Sequence, residues 1–386
     1  LHPRVRRQRQ MCIRDRYRDD GNCISTLDKL ERSRRNTMKN KAIHGGDIYR
    51  NQVRLDFSVN VNPLGMPDGV EAALHEAVCS VQEYPDMEAL ALKESLAEKL
   101  AVPEEKLLFG NGASELLMAV VHALHPTKIM IPSPSFYGYQ HAAKAEGSKV
   151  IPLMLKEENG FLLTEELFTV LEQERPELLI LANPNNPTGV LTSKEYLKQL
   201  LEKCRKTNTF LLLDECFIEF CEGQDSMLSE IRKEERLLLL RAFTKSFAIP
   251  GVRLGYLVGS TEELLIKIRE QLPEWNLSVF AQKAGQACLS SENEAYLTET
   301  VRYVKKERQF LTEELQQMGI RILQGEANFL LFYCEENLYE KLLQRGILIR
   351  DCSNFEGLSQ GYYRIAVKRH EENLQLLEAI KECLKP

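Results

Sequence analysis

Several features are missing from this 386-residue chain, and each absence removes a class of function. No run of about 18 apolar residues occurs, so no segment reads as a membrane-spanning helix. The ten cysteines (12, 23, 79, 204, 216, 221, 288, 334, 352 and 383) form no CxxC pair. That scatter fits reduced thiols better than a disulfide framework. With no h-region and no small-residue cleavage site, the chain is expected to be cytoplasmic. Past residue 37 there is no internal repeat and no low-complexity segment, which argues against a repeat architecture.

Charge is unevenly spread beneath the net value of −6. Residues 1–37 hold eleven Lys/Arg against five Asp/Glu, with Arg4, Arg6, Arg7, Arg9, Arg14, Arg16 and Arg18 close together. Such a stretch could be a nucleic-acid arm. It has no helical or strand period and no helix-turn-helix pattern, and Met38-Lys39-Asn40 reads as a natural start. It is therefore taken as a disordered or non-native extension. The remainder, with 39 basic and 51 acidic residues, argues against DNA or RNA as a partner.

What is present begins with alternation. Glu88–Leu100 carries apolar residues at helical spacing, and Lys128–Ile131 reads as a short strand ending at Pro132. Leu178–Ala182 is a strand, Ser193–Lys206 an amphipathic helix, and Phe210–Leu213 a strand closed by Asp214. Leu237–Leu240 leads to Lys245. Strands alternating with helices imply a mostly parallel sheet covered on both faces, with ligands at the carboxyl ends of its strands. After about residue 280 a long charged helix (292–318) precedes strands near Phe329–Phe332, Ile347–Arg350 and Tyr363–Val367 and a final helix. This texture reads as a smaller α+β domain.

Five motifs carry chemistry. Lys245, beside Thr244 and Ser246 and eight residues before Arg253, lies just past an apolar strand. A desolvated lysine near other cations acts as an amine nucleophile. Arg253 and Thr244 suit a phosphate. Asn183-Pro184-Asn185-Asn186-Pro187-Thr188-Gly189 is at minimum a strand-to-helix turn, and its prolines make Asn186 a fixed donor. Asp214 could cap the next segment or pair with a ring nitrogen. Gly110-Asn111-Gly112-Ala113-Ser114 opens a helix and offers backbone N–H groups to a phosphate. Phe136 could stack on a flat ring or simply pack.

In this order the motifs resemble the fold-type-I pyridoxal-phosphate enzymes, the aspartate aminotransferase superfamily, over residues 38–386. The resemblance implies pyridoxal 5′-phosphate as cofactor. It implies an α/β architecture: an N-terminal arm with part of the small domain over 38–75, a large domain over 76–280 and a small domain over 281–386. Lys245 matches the Schiff-base lysine, Asp214 the partner of the pyridinium nitrogen, and Asn186 the donor to the ring oxygen. Arg253, Thr244 and Gly112, Ala113 and Ser114 match the phosphate cup, and Phe136 the stacking ring. Tyr84 matches a tyrosine lent by a neighbouring subunit, which implies a homodimer. Arg364 matches the arginine that grips the substrate carboxylate.

Within the superfamily, one subfamily transaminates histidinol phosphate and another decarboxylates L-threonine O-3-phosphate. The strings His44-Gly45-Gly46-Asp47-Ile48, Asn60-Val61-Asn62-Pro63-Leu64-Gly65 and Arg350-Asp351-Cys352-Ser353-Asn354-Phe355 resemble the decarboxylases. So does Phe217, where the aminotransferases usually carry tyrosine. The resemblance implies that Arg350 and His44 reach a substrate phosphate and that Asn62 lines the same pocket, so the expected partner is a small phosphorylated amino acid. Ala242 departs from the family, which has serine three residues before the lysine; Thr244 or Ser246 is expected to stand in. Cys216 and Cys221 offer no metal spacing. His122 and His125 lack a third ligand nearby in sequence and read as residues favoured at a helix C-terminus. No metal is expected.

Overall fold

The computed structural model describes residues 44–223, 226–231 and 236–385, so the basic stretch 1–37 lies outside the described residues. The apolar runs become strands: β1 Leu55–Asp56, β2 Leu107–Gly110, β3 Lys128–Ser133, β4 Lys149–Met154, β5 Leu178–Ala182, β6 Phe210–Asp214, β7 Leu237–Ala242 and β8 Gly255–Gly259. They form a seven-stranded sheet in the order β2-β8-β7-β6-β5-β3-β4, with β1 outside it. Strands β4, β3, β5, β6 and β7 run parallel, while β8 lies antiparallel between β7 and β2.

The central strands lack polar alternation because helices cover both faces. Leu179, Leu181, Leu211, Leu213, Leu237 and Leu239 enter one core, and Leu178, Ile180, Leu212, Leu238 and Leu240 enter the other. This is the period-two division that a strand imposes. Helix Lys194–Thr207, one of the covering elements, starts where the Ser193 hydroxyl accepts from Tyr196 N at 3.3 Å. It ends on Asn208 in the left-handed region at φ 62°.

A second sheet has the order β12-β13-β10-β9, from β9 Arg321–Leu323, β10 Phe329–Tyr333, β12 Arg350–Asp351 and β13 Tyr362–Ala366. Its core joins Phe332, Ile349 and Ile365 to Leu311 and Leu315 of the long helix Asn293–Gln317 and to Phe57 of the N-terminal arm.

Two strand boundaries differ from the sequence reading. Strand β3 continues through Pro132 to Ser133. Its pairing with β5 ends at Met130, so beyond that point it pairs with β4 alone and behaves as an edge, where proline is tolerated. The run Ile347–Arg350 is not one strand. β11 (Ile347–Leu348) pairs parallel with β1, whereas β12 pairs antiparallel with β13. The chain changes sheets at Ile349, and that change seats Arg350 directly opposite Arg364.

Candidate active site

The carboxyl ends of β2, β3, β5, β6 and β7 and the segments just past them carry Gly112, Phe136, Asn186, Asp214 and Lys245. Lys245 lies in the short helix Phe243–Ser246 that follows β7. Burial, reinforced by Arg364 and Arg253 and opposed by Cys216 and Asp214, pushes its amine down to about 8. The turn is pinned from behind. Asn62 N donates to Lys245 O at 3.0 Å, and the Asn62 side-chain amide donates to Ser246 O and Thr300 Oγ1 at 2.7 Å each. Tyr296 adds its hydroxyl to Ser246 O at 3.2 Å. Asn62, expected along the substrate pocket, is thus turned onto the main chain of the lysine turn and acts as its brace. Ser246 is corrected as well. Its hydroxyl donates to the Glu219 carboxylate, which leaves buried Thr244 as the hydroxyl for a phosphate.

Asp214 ends β6 with both carboxylate oxygens engaged. Oδ2 accepts from the Tyr139 hydroxyl at 2.7 Å and Oδ1 from Cys216 N at 3.0 Å. Burial raises its pKa against these donors. An anion held by neutral donors alone gains most from a neighbouring cation. Next to it, Glu215 and Arg241 form a buried pair through Oε2, at 2.7 Å to Nη2 and 3.0 Å to Nε. Ser226 Oγ and Met227 N each donate to Glu215 at 2.8 Å, which leaves the pair well satisfied.

Gly112 adopts φ +79°, and a Cβ there would sit 2.3 Å from Arg253 Nη2. Glycine is therefore what lets the guanidinium lie against the start of helix Ala113–Leu124, where Ala113 and Ser114 occupy the first turn. Glu115 braces the loop by accepting from Asn111 N at 2.6 Å and from Asn276 Nδ2 at 3.1 Å. Helix start and guanidinium together make an anion seat. Phe136 precedes helix Tyr137–Glu146, its ring centroid 5.5 Å from that of Tyr139 and 5.7 Å from that of His44.

On the second sheet, opposed residues of an antiparallel pair share a face, so Arg350 and Arg364 project together. Arg364 Nη1 donates to Asn186 Oδ1 and Nη2 to Ser58 O at 3.0 Å, while its buried Nε has no partner among the described residues. Burial pushes Arg364 down to about 10, with Arg350 adding repulsion. Arg350 donates to Asn354 Oδ1 at 2.8 Å and lies 5.1 Å from the Phe355 ring centroid. His44 is held below its ordinary value, first by burial and then by Arg350, His141 and Arg364. It is thus a neutral hydrogen-bonding group at pH 7. Phe217 is buried, its ring edge-on to Phe329 at 5.3 Å. Tyr84 stands apart, 82% exposed and against Trp275 at 4.8 Å.

Sequence reasoning missed Tyr139 and Glu219. Tyr139 could have been found, because with Ala142 and Ala143 it forms the buried stripe of its helix, and a tyrosine there needs a partner for its hydroxyl. Glu219 gives no comparable signal.

A readily deprotonated amine, a buried carboxylate hydrogen-bonded by neutral donors, an anion seat and a guanidinium nitrogen without a partner among the described residues together fit a flat, phosphorylated carbonyl cofactor and an anionic substrate. The comparisons agree. Residues 53–380 match the model of the aminotransferase class I and II family. The chain belongs to that family. Threonine-phosphate decarboxylase of Salmonella typhimurium is 35% identical over 336 residues, covering 86% of this chain and 91% of that protein. A putative threonine-phosphate decarboxylase of Caldanaerobacter subterraneus subsp. tengcongensis is 37% identical, covering 88% and 93%. The crystal structure of histidinol-phosphate aminotransferase from Clostridium acetobutylicum superposes with a TM-score of 0.79 at 34% identity, over 85% of this chain and 98% of that one. As a class I and II aminotransferase fold, the chain takes pyridoxal 5′-phosphate as its cofactor, with Lys245, Asp214, Gly112–Ser114, Thr244 and Arg253 as the residues that fit it.

Proposed function

We propose that this chain removes CO2 from L-threonine O-3-phosphate to give (R)-1-aminopropan-2-yl phosphate, for the aminopropanol arm of cobalamin. The observation that carries the proposal is the pairing of Arg350 with Arg364 across β12 and β13, with His44 beside them. A substrate bearing a carboxylate and a phosphate needs two cationic grips on one wall. The decarboxylases among the relatives support the same substrate.

Pyridoxal phosphate, when bound, supplies an electron-withdrawing ring that draws in the electron pair of the breaking Cα–carboxylate bond. Asp214, oriented by Tyr139 and Cys216 N, keeps the ring nitrogen protonated. Lys245 anchors the cofactor and, once its amine is free, carries a proton to Cα; a value of about 8 suits both tasks near neutral pH. Arg350 and His44 take the phosphate and thereby set the rotation that turns the scissile carboxylate out of the ring plane. Arg364 and Asn186, already bonded to each other, orient the amino-acid end.

The aminotransferase reading is kept because a solved histidinol-phosphate aminotransferase superposes closely. Purified protein given threonine phosphate and no keto-acid acceptor separates the two. Release of CO2 with the amino phosphate supports decarboxylation. No CO2, with transamination once a keto acid is added, sinks it.

The working form is proposed to be a cytoplasmic homodimer with shared active sites. Support comes from exposed Val78, Val81, Tyr84, Met87, Leu90 and Trp275, an apolar grouping suited to a second copy, and from the free state of all cysteines among the described residues. Light scattering that gives a monomer mass at working concentration would count against it.

A further inference from the structure

The histidines of helix Ala113–Leu124 have a partner that sequence spacing hides. His122 lies in the last turn, and His125 follows as the C-cap in a left-handed conformation at φ 44°. Their rings meet edge-on with centroids 5.2 Å apart. Glu146, at the end of helix Tyr137–Glu146, spans both: Oε2 is 2.8 Å from His122 Nδ1 and Oε1 is 2.7 Å from His125 Nδ1. The scaffold is set independently of these contacts. Val121, Ala142 and Ala143 pack in one core, Ser148 Oγ donates to Pro126 O at 2.6 Å, and Lys149 N donates to Thr127 O at 2.8 Å.

We propose that His122, His125 and Glu146 bind a divalent transition-metal ion, zinc foremost, at the end of the phosphate-cup helix opposite the cofactor. Two imidazole nitrogens and one carboxylate oxygen suit zinc, nickel or copper and not the hard cations magnesium and calcium. The three donor atoms lie within 4.8 Å of one another. Zinc bonds of about 2.0–2.1 Å in tetrahedral geometry separate donors by about 3.4 Å, so the present hydrogen bonds must open by about 0.6–0.7 Å. Rotation of the Glu146 carboxylate supplies that. The side chains of His122 and His125 are 60% and 63% exposed, so each ring can carry its proton on Nε2 toward water and present Nδ1 to the metal. Water completes the coordination. The two imidazoles already hold the Glu146 carboxyl below the usual carboxylate range, so the third ligand is an anion at neutral pH. A helix rises about 1.5 Å per residue, which puts the site about 16 Å from the cup and makes it independent of the proposed reaction.

The test uses the full chain with its cofactor, free of any polyhistidine tag and stripped of metal. Zinc is titrated against a chromophoric chelator at pH 7.5. The expected result is one equivalent per chain, unaffected by excess magnesium. That equivalent should be lost in Glu146→Gln and in the double variant His122→Ala/His125→Ala. Both variants should keep the cofactor's visible absorbance, which shows that they are folded. An equivalent retained by the double variant overturns the proposal. So does a wild type that takes up zinc only at millimolar concentration, which makes the cluster a proton-bridged clamp.

Discussion

Replacing Tyr139 by phenylalanine isolates one atom of the site. The ring stays in its buried place between Phe136 and the helix core, and only the hydroxyl 2.7 Å from Asp214 Oδ2 is removed. A hydrogen bond to a charged acceptor contributes about 1.5–3 kcal/mol, which is roughly 10- to 100-fold in an equilibrium or rate. With cofactor bound, Asp214 must stay ionised, so the loss falls on that state almost whole. Without cofactor, burial already raises the Asp214 pKa, and protonation can relieve part of the loss. Cofactor affinity should therefore fall by about 10-fold or more, and kcat with it.

The pH dependence has a definite sign. A carboxyl raised above its ordinary value of about 3.9 binds more protons in the folded chain than in the unfolded one between that value and its folded value. Stability of the cofactor-free protein thus falls as pH rises through that window, and Tyr139→Phe should deepen the fall. Well below pH 4, where Asp214 is protonated in both states, the variant should differ little from wild type. Urea midpoints across pH and equilibrium titration with pyridoxal phosphate measure both effects. Cofactor affinity and kcat within twofold of wild type would refute the role given to this hydroxyl.

Three further outcomes follow from the same geometry. Reconstitution of cofactor-free protein should accelerate about fivefold from pH 7 to pH 8 and level off by about pH 9, because only the unprotonated Lys245 amine reacts and its pKa is about 8; a flat absorbance-monitored profile contradicts this. Arg350→Ala should raise KM for threonine phosphate by about 100-fold, from loss of a charge-assisted contact of about 2–3 kcal/mol, and should release inorganic phosphate as the C–O bond is less well held; unchanged KM and no rise in phosphate relative to product argue otherwise. Phe217→Tyr adds a donor near the cofactor's ring oxygen, worth about 1 kcal/mol, so the midpoint of the cofactor's visible-absorbance titration should fall by about 0.7 pH unit; identical midpoints in the two proteins remove Phe217 from the argument.

How far the sequence carried depends on what kind of force places each residue. The runs Leu178–Leu181, Leu211–Leu213 and Leu237–Leu240 were legible because burial on both faces demands unbroken apolar strands, and the polar residues after them mark the carboxyl ends. Pairing of two-residue strands was not legible. β11 and β12 answer to different partners across Ile349, and no hydrophobic period distinguishes them. Asn62 was misdirected for a related reason: its partners Ser246 and Thr300 lie 184 and 238 residues away, and an amide placed by tertiary contact carries no local signature. Glu146 stands 24 residues from His122 and 21 from His125, so the cluster appears only once the two helices pack.

The site is built against its own electrostatic preference. Lys245, Arg364, Arg350 and His44 are all depressed, with burial the first cause in each, and repulsion from at least one other cation of the pocket adds to it for Lys245, Arg364 and His44. Asp214 is raised, again by burial. Such strain in charge persists only where the surrounding fold over-determines it, and here the determinants are named: Asn62 and Tyr296 behind Lys245, Tyr139 behind Asp214, and Ser58 and Asn186 on Arg364. A ligand set that brings a cationic ring nitrogen to Asp214 and anionic oxygens to the guanidinium groups reverses every one of these penalties at once. Lys245 alone requires only a carbonyl. Its neighbours suit a carbonyl borne on a phosphorylated, protonated ring, and the proposed substrate would bring a carboxylate and a second phosphate to Arg364 and Arg350.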